Sequence, residues 1–322
     1  MYKKMSLFVS LLLAVSLLLS SCGRAPGNAE NGETLQGNIT ISGAFALYPL
    51  MTRWAEEFQK IHPNVQFDIS AGGAGKGMTD ALSGAVEIGM VSRSIKPEEE
   101  AQGAYAIAVA KDAVFAVVNA SNPVAAELSA QGIRPETFVG IYITGDIKTW
   151  GQVVGKPEVT QEIHVYTRSD ACGAAEMWAK FTGNKKQEDL LGIGVNGDPG
   201  VLEAVLKDPL GIGYNNLGYA FDLASGQAVK GAFIVPIDLN GNGKADEDER
   251  IESLSEAVEA VASGKYPSPP ARLLYLVTKN KPGGVVQAFL HWILTDGQAF
   301  VNEAGYVRLT PDQLAESLER VK

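Results

Sequence analysis

Three times along this chain a short alternating stretch runs into a turn of small residues and then into a helical apolar pattern. That repeated order restricts the fold more than any other feature. "NITIS" (38–42) alternates as a half-buried strand does, and "GAFALYPL" leads into a helix on which Leu50, Met51, Trp54, Phe58 and Ile61 share a face. "VQFDIS" (65–70) alternates again and enters "AGGAGKGMTDAL", a Gly-rich turn opening a second helix. "EIHVYTRS" (162–169) is the third strand; after it Ala174, Met177, Trp178 and Phe181 lie on one helical face, which Gly183 is placed to end. Later segments keep the alternation: "GIGYNN" and "LLYLVT" suit buried strands, while "GGVVQAFLHWIL" and "TPDQLAESLERV" suit helices. Strands alternating with helices predict an α/β fold with mostly parallel sheets flanked by helices. The 322 residues suffice for about two such units. No long linker separates them, which favours two lobes joined by more than one crossover.

The turns also carry a chemical expectation. The first N–H groups of a helix have no intrahelical partner, and the helix dipole adds positive potential there. Small residues let an anion approach that backbone closely. Three such turns converging on one crevice, beside Arg168, point to an oxyanion held without a metal. The alternative is that the glycines only permit tight strand–helix packing. Arg168 ends its strand just before the helix, where a guanidinium fork can meet two oxygens, and Asp170 can orient the fork. The alternative for that pair is an ordinary surface ion pair.

The start of the chain, "MYKKMSLFVSLLLAVSLLLSSC", has a basic beginning and an apolar run too short to span a membrane, which reads as a secretory signal over 1–21. Small residues before Cys22 resemble a bacterial lipobox, implying cleavage before Cys22 and lipidation of its thiol; the alternative is an unlipidated signal with an incidental cysteine. Residues 22–36 are polar and rich in Gly, Pro and Asn, a flexible tether. The expected location is therefore outside the cytoplasm, lipid-anchored to a bacterial-type membrane. With Cys22 lipidated, Cys172 has no partner for a disulfide. A formal charge of −10 argues against nucleic acid as a partner, because neutralising its phosphates needs a basic face.

From about Asn38 to Arg308 the chain resembles the phosphate-binding solute receptors of bacterial ABC importers. The resemblance rests on "ISGAFALYPL", "GGAGKGMTDALSGAVEIGMVSRSIKPEE", "IYITGDIKTWGQVVG", "YTRSDACGAAEMW", "GIGYNNLGYA", "YPSPPARLLYLVTKNKP" and "DGQAFVNEAGYVRL", in that order. It implies a two-lobed periplasmic-binding-protein-like fold (type II), a ligand in the interlobe cleft, and delivery of phosphate to a membrane permease by a monomeric receptor. One lobe is expected to combine 37–112 with 272–322, and the other to be 113–271. The expected ligand-binding residues are Ala44, Phe45, Ala74, Ser92, Arg168, Cys172, Gly173 and Ala174, carried over position by position, together with Gly75 in the second turn, Arg93 as a further donor and Asp170 as the group orienting Arg168. The family usually has Ser and Thr where this chain has Ala44 and Phe45, Ser at Ala74, and Ser-Gly-Thr at Cys172-Gly173-Ala174. Hydroxyl donors are missing there, although backbone N–H groups remain. Cys172 thus stands where an anion-binding serine is expected, as a weak donor or a packing residue. The alternative function is a sensor or scaffold lipoprotein of the same fold that binds another anion or has lost transport.

"DLNGNGKADEDE" (238–249) follows the calcium-loop pattern of alternating oxygen donors, a glycine, and a closing glutamate. Asp238, Asn240, Asn242, Lys244 through its carbonyl, Asp246 and Glu249 are the expected Ca²⁺ ligands, in a structural role. The alternative is an acidic surface turn. An enzyme is not expected. "GGAGKG" lacks the Gly and the Ser or Thr of a nucleotide loop at 70 and 77, where Ser70 and Gly77 stand; His62, His164 and His291 are scattered; and Cys172 with His164 makes no triad.

Overall fold

Among the described residues ten strands form two five-stranded sheets. In chain order they are β1 (Gly37–Gly43), β2 (Val65–Ala71), β3 (Ile88–Val91), β4 (Ala104–Asp112), β5 (Val114–Asn119), β6 (His164–Arg168), β7 (Ile193–Val195), β8 (Gly211–Asn216), β9 (Ala232–Ile234) and β10 (Arg272–Lys279). The structure, a computed structural model, describes residues 35–322. The expected signal peptide, Cys22 and all but the end of the expected tether lie outside the described residues. Among the described residues no helix is long and apolar enough to cross a membrane.

The first sheet has the order β2-β1-β3-β10-β4 and the second β7-β6-β8-β5-β9, so the molecule is a two-lobed α/β protein. β1 pairs in parallel with β2 and β3, and β6 with β7 and β8, but β10 and β5 pair antiparallel with both neighbours. As expected, the sheets are mostly parallel: four strands of each run the same way, and a single reversed strand makes each sheet mixed. The reason is connectivity. The chain leaves the first sheet at the end of β4, passes Ala113 and enters the second on β5; it returns on β10. A strand that enters from the junction must run away from it, while the other four run toward it. The carboxyl ends of β1, β2, β6 and β7 are thereby brought to the junction, where open α/β sheets bind ligands.

Four helices follow those strands: α1 (Tyr48–Ile61), α2 (Ala74–Ser83), α3 (Gly173–Phe181) and α4 (Gly197–Lys207). The predicted apolar face of α1 is buried through Leu50, Met51, Trp54 and Phe58, whereas Ile61 at its last turn is exposed. Phe58 meets Phe289 edge-on at 5.0 Å, and Trp54 Nε1 donates to the Gly297 carbonyl at 2.8 Å, so the indole is buried with its one polar atom satisfied. In the second lobe Trp178 of α3 stacks on Tyr214 of β8 at 5.5 Å and meets Phe138 edge-on at 5.2 Å. Each fully buried large apolar side chain contributes roughly 1.5–3 kcal/mol. The corners of the junction therefore stand on two anchored aromatic cores.

Candidate functional site

Four strand-to-helix corners meet at the junction. In the first, Ala44 donates its N–H to the Met90 carbonyl at 2.9 Å, and a short 3₁₀ turn, Phe45–Leu47, leads into α1. In the second, the amides of Gly72 and Gly73 donate to the Gly43 carbonyl at 2.8 and 3.0 Å, tying the start of α2 to the first corner. The third runs from Arg168 through Cys172 into α3, and the fourth from β7 through Asn196 into α4.

The two lobes touch through these corners. The Gly75 N–H, in the first turn of α2, donates to the Ala171 carbonyl of the opposite lobe at 3.0 Å. The Tyr219 hydroxyl donates to the Phe45 carbonyl at 3.3 Å. The Phe45 ring lies over the Arg168 guanidinium, 5.2 Å from its centre to Cζ, a cation–π distance. Two glycines make this approach possible. A Cβ at Gly173 would lie 2.1 Å from the Ser92 carbonyl oxygen, and one at Gly197 would lie 2.9 Å from the Phe45 ring.

Arg168 is 4 % exposed and paired with two carboxylates. Its Nε and one terminal nitrogen donate to Asp170 at 2.8 and 2.5 Å, and the other terminal nitrogen donates to Asp198 at 2.5 Å. Burial opposes the charge, but Asp198 and Asp170 outweigh it and hold the guanidinium even more firmly protonated than usual. Three of its five N–H groups are used in this way, which leaves two without a carboxylate partner. Asp170 orients the fork and also accepts the Gly197 N–H at 3.0 Å. Burial works against the Asp170 carboxylate; Arg168 and that amide win, and its pKa lies below the ordinary value.

The other expected ligand groups divide. Ala44, Ala74 and Ala174 are buried at the helix starts, so the missing hydroxyls are replaced by packed methyls rather than by open space. Ser92 is buried against Gly173. Arg93 is buried but committed elsewhere: it donates to both Glu99 oxygens at 2.6 and 2.9 Å and to the Ser94 carbonyl at 2.9 Å, with Glu176 of α3 at 3.4 Å from Nε. Cys172 caps α3, its Sγ accepting the Ala175 N–H at 3.3 Å. Burial pushes its thiol up to about 12, although Arg168 pulls the other way. It is a neutral cap, not a thiolate. Sequence reasoning passed over Asp198, which is 0 % exposed and sits at the fourth corner. The signal was Asp198-Pro199 at a helix start after "GIGV", the same strand–turn–helix order as the other three.

The candidate calcium loop is folded around its own amides. Asp238, buried, accepts the N–H groups of Gly241 (2.8 Å), Asn242 (3.1 Å) and Gly243 (2.9 Å). Asp246 accepts from the side-chain amides of Asn240 (2.7 Å) and Asn242 (2.8 Å), and Glu249 accepts from the backbone amides of Leu239 (2.7 Å) and Asp246 (3.1 Å). Lys244 donates its N–H to Asn242 Oδ1 at 2.8 Å. Among the described residues no group of three or more His, Cys, Asp or Glu side chains stands close enough to hold a metal ion. The side-chain donors expected to hold a hard cation are oxygens, but the Asn240 and Asn242 side chains turn their NH₂ groups toward Asp246 and their oxygens to backbone amides.

Comparisons with known proteins agree with this architecture. The chain is 27% identical over 318 residues to the phosphate-binding protein PstS of Bacillus subtilis, covering 96% of this chain and 95% of that protein. The PstS of Staphylococcus saprophyticus is 26% identical, over 99% of this chain and 94% of its own. Among solved structures, a protein described as a phosphate ABC transporter substrate-binding protein with bound phosphate, from Clostridium perfringens, superposes with a TM-score of 0.69 at 24% identity, covering 85% of this chain and all of that one. An ABC-type phosphate transport receptor from Vibrio cholerae gives 0.61 at 20% identity, over 84% of this chain and 100% of that one. A family model described as the PBP superfamily domain matches residues 28–297, and with two lobes meeting at carboxyl-end corners the chain belongs to that superfamily.

Proposed function

We propose that this chain is an extracytoplasmic receptor that binds a small oxyanion, inorganic phosphate first, between its lobes and delivers it to an ABC permease. The observation that carries the reading is Arg168, buried at the meeting point of helix starts and oriented by Asp170 with N–H groups to spare. The near full-length similarity to phosphate-binding proteins supports phosphate as the first candidate. First-turn amides at Phe45, Ala46, Gly173 and Ala174 supply the remaining donors, because backbone N–H groups survive loss of the hydroxyl side chains. Chemically the receptor only binds and releases; positioning and desolvation are all that its residues contribute. A lipid on Cys22 with a short tether would hold the lobes near the permease.

The second reading is a sensor or scaffold lipoprotein of this fold. It is favoured by the Ala171 carbonyl on the Gly75 amide and by Phe45 on Arg168, since a ligand must displace both. Calorimetry on the mature protein separates the two. Phosphate binding in the micromolar range or tighter, weakened about tenfold or more by Arg168→Lys, is expected of the receptor. Heat with another oxyanion and none with phosphate removes phosphate. Silence with every oxyanion favours the sensor or scaffold.

The loop 238–249 is proposed to hold Ca²⁺ in a structural role, through Asp238, Asn240, Asn242, Lys244, Asp246 and Glu249. Such a cation would bridge the buried end of the loop to Glu249. A melting temperature several degrees higher in calcium than in EDTA is the expected result. Equal melting temperatures would leave an acidic turn.

A further inference from the structure

Arg168 is one end of a buried chain of polar groups that runs to both places where the backbone crosses between lobes. Asp198 accepts from Arg168 through Oδ2 at 2.5 Å, and through Oδ1 from the side-chain amide of Asn216 at 2.7 Å and its backbone N–H at 3.0 Å. Asn216 Oδ1 accepts from a terminal nitrogen of Arg272, which also reaches Asp112 Oδ2 at 3.2 Å. Asp112 Oδ1 accepts the backbone N–H groups of Ala113 at 2.7 Å and Leu217 at 3.2 Å. Asp112 is the last residue of β4, Ala113 is the outward crossover, and Arg272 is the first residue of β10 on the return. All five side chains are at least nine-tenths buried.

The order of groups leaves no member free to reverse. Guanidinium, carboxylate, amide, guanidinium and carboxylate alternate donor with acceptor. Turning the Asn216 amide over would set its oxygen against Asp198 and its NH₂ against Arg272. The network does not satisfy every donor it buries, since Arg272 Nε has no partner. Buried charge of this kind is weak support for stability, and its two ends lie at the ligand corner and the hinge.

We propose that this chain couples the ligand corner to the hinge, with Asp198, Asn216, Arg272 and Asp112 as positioning residues for Arg168. The inference rests on Arg168 being the ligand-facing group. A ligand that draws the guanidinium toward itself shifts Asp198, and the fixed alternation passes the shift to the amides of Ala113 and Leu217.

Amide hydrogen exchange by NMR on the ligand-free mature protein tests the coupling without needing a ligand. Arg168→Lys shortens the fork at one end, and the amides of Ala113 and Leu217 are read at the other. About tenfold faster exchange at those two positions is expected, with the amides of Val117 and Ile212 in the same sheet within twofold of wild type. Asp198→Asn, which keeps the shape and removes the charge, should reproduce the pattern if Arg168→Lys fails to fold. Unchanged protection at Ala113 and Leu217 in a folded variant overturns the proposal, and so does a uniform loss across the sheet, which would mark a purely structural role. In a separate arm, inorganic phosphate is added to wild type. Failure to bind it would overturn the phosphate reading and leave the exchange result to decide the coupling.

Discussion

Cys172 shows how one atom's surroundings decide its chemistry. Beside an arginine and at a helix start, a thiol would ordinarily be activated toward the thiolate. Here desolvation prevails: the side chain is 6 % exposed, its pKa is pushed up to about 12, and Sγ is engaged with the Ala175 amide. The expected result is that iodoacetamide leaves Cys172 unmodified in the native protein at pH 8 over a period that fully labels it in urea, read by mass spectrometry. Rapid native labelling would show a thiol more open and more acidic than this. At the same scale, Arg168 and Asp170 were legible as a pair because they are close in sequence. Asp198 was not, since it lies 30 residues from Arg168 and 18 from Asn216, and only the sheet brings them together.

Among elements, those with a clean period were readable. β1, β2 and β6 with the helices after them stand where alternation and helical spacing put them; β2 keeps that alternation in its burial, while the ends of β1 and β6 at the junction are buried on both faces. β5 was hidden: all six of its residues are buried, so "VFAVVN" has no alternation to read. The end of β4 next to it carries Asp112, whose carboxyl, fully buried, is raised to about 6 from 3.8 by desolvation, against the pull of Arg272. That direction fixes a sign. Between pH 4 and 6 the folded state holds a proton that the unfolded state has released, so this group's contribution to stability falls as pH rises through 6. The difference amounts to about 3 kcal/mol across that window. Urea unfolding of wild type and Asp112→Asn at pH 4.5, 5.5 and 7 should show wild type losing ground to the variant as pH increases. A constant difference would mean that the carboxyl titrates normally. Carboxylates with lowered values, such as Glu99 and Asp170, act in the opposite sense and are common to both proteins, so they cancel in the comparison.

For the whole molecule, the question is what holds the lobes together. The contacts at hand belong to the chain itself: a carbonyl on a helix-start amide, the Tyr219 hydroxyl on the Phe45 carbonyl, a ring on a guanidinium, Glu176 beside Arg93, and Gly173 against Ser92. Individually these are small, about 1 kcal/mol for a hydrogen bond and 0.5–2 kcal/mol for a cation–π contact. Their sum is comparable with the few kcal/mol that separate open and closed forms of a two-state protein. A ligand entering between the lobes would have to begin by breaking them, and its affinity would be reduced by the fraction of molecules already closed. Gly173→Ala probes this directly. The added Cβ would stand 2.1 Å from a backbone oxygen of the opposite lobe, which no side-chain rotation relieves, so the junction must widen while each lobe keeps its own core. Small-angle scattering of the ligand-free proteins should give a larger radius of gyration for the variant than for wild type, with circular dichroism unchanged. Equal radii would mean that wild type already rests open in solution.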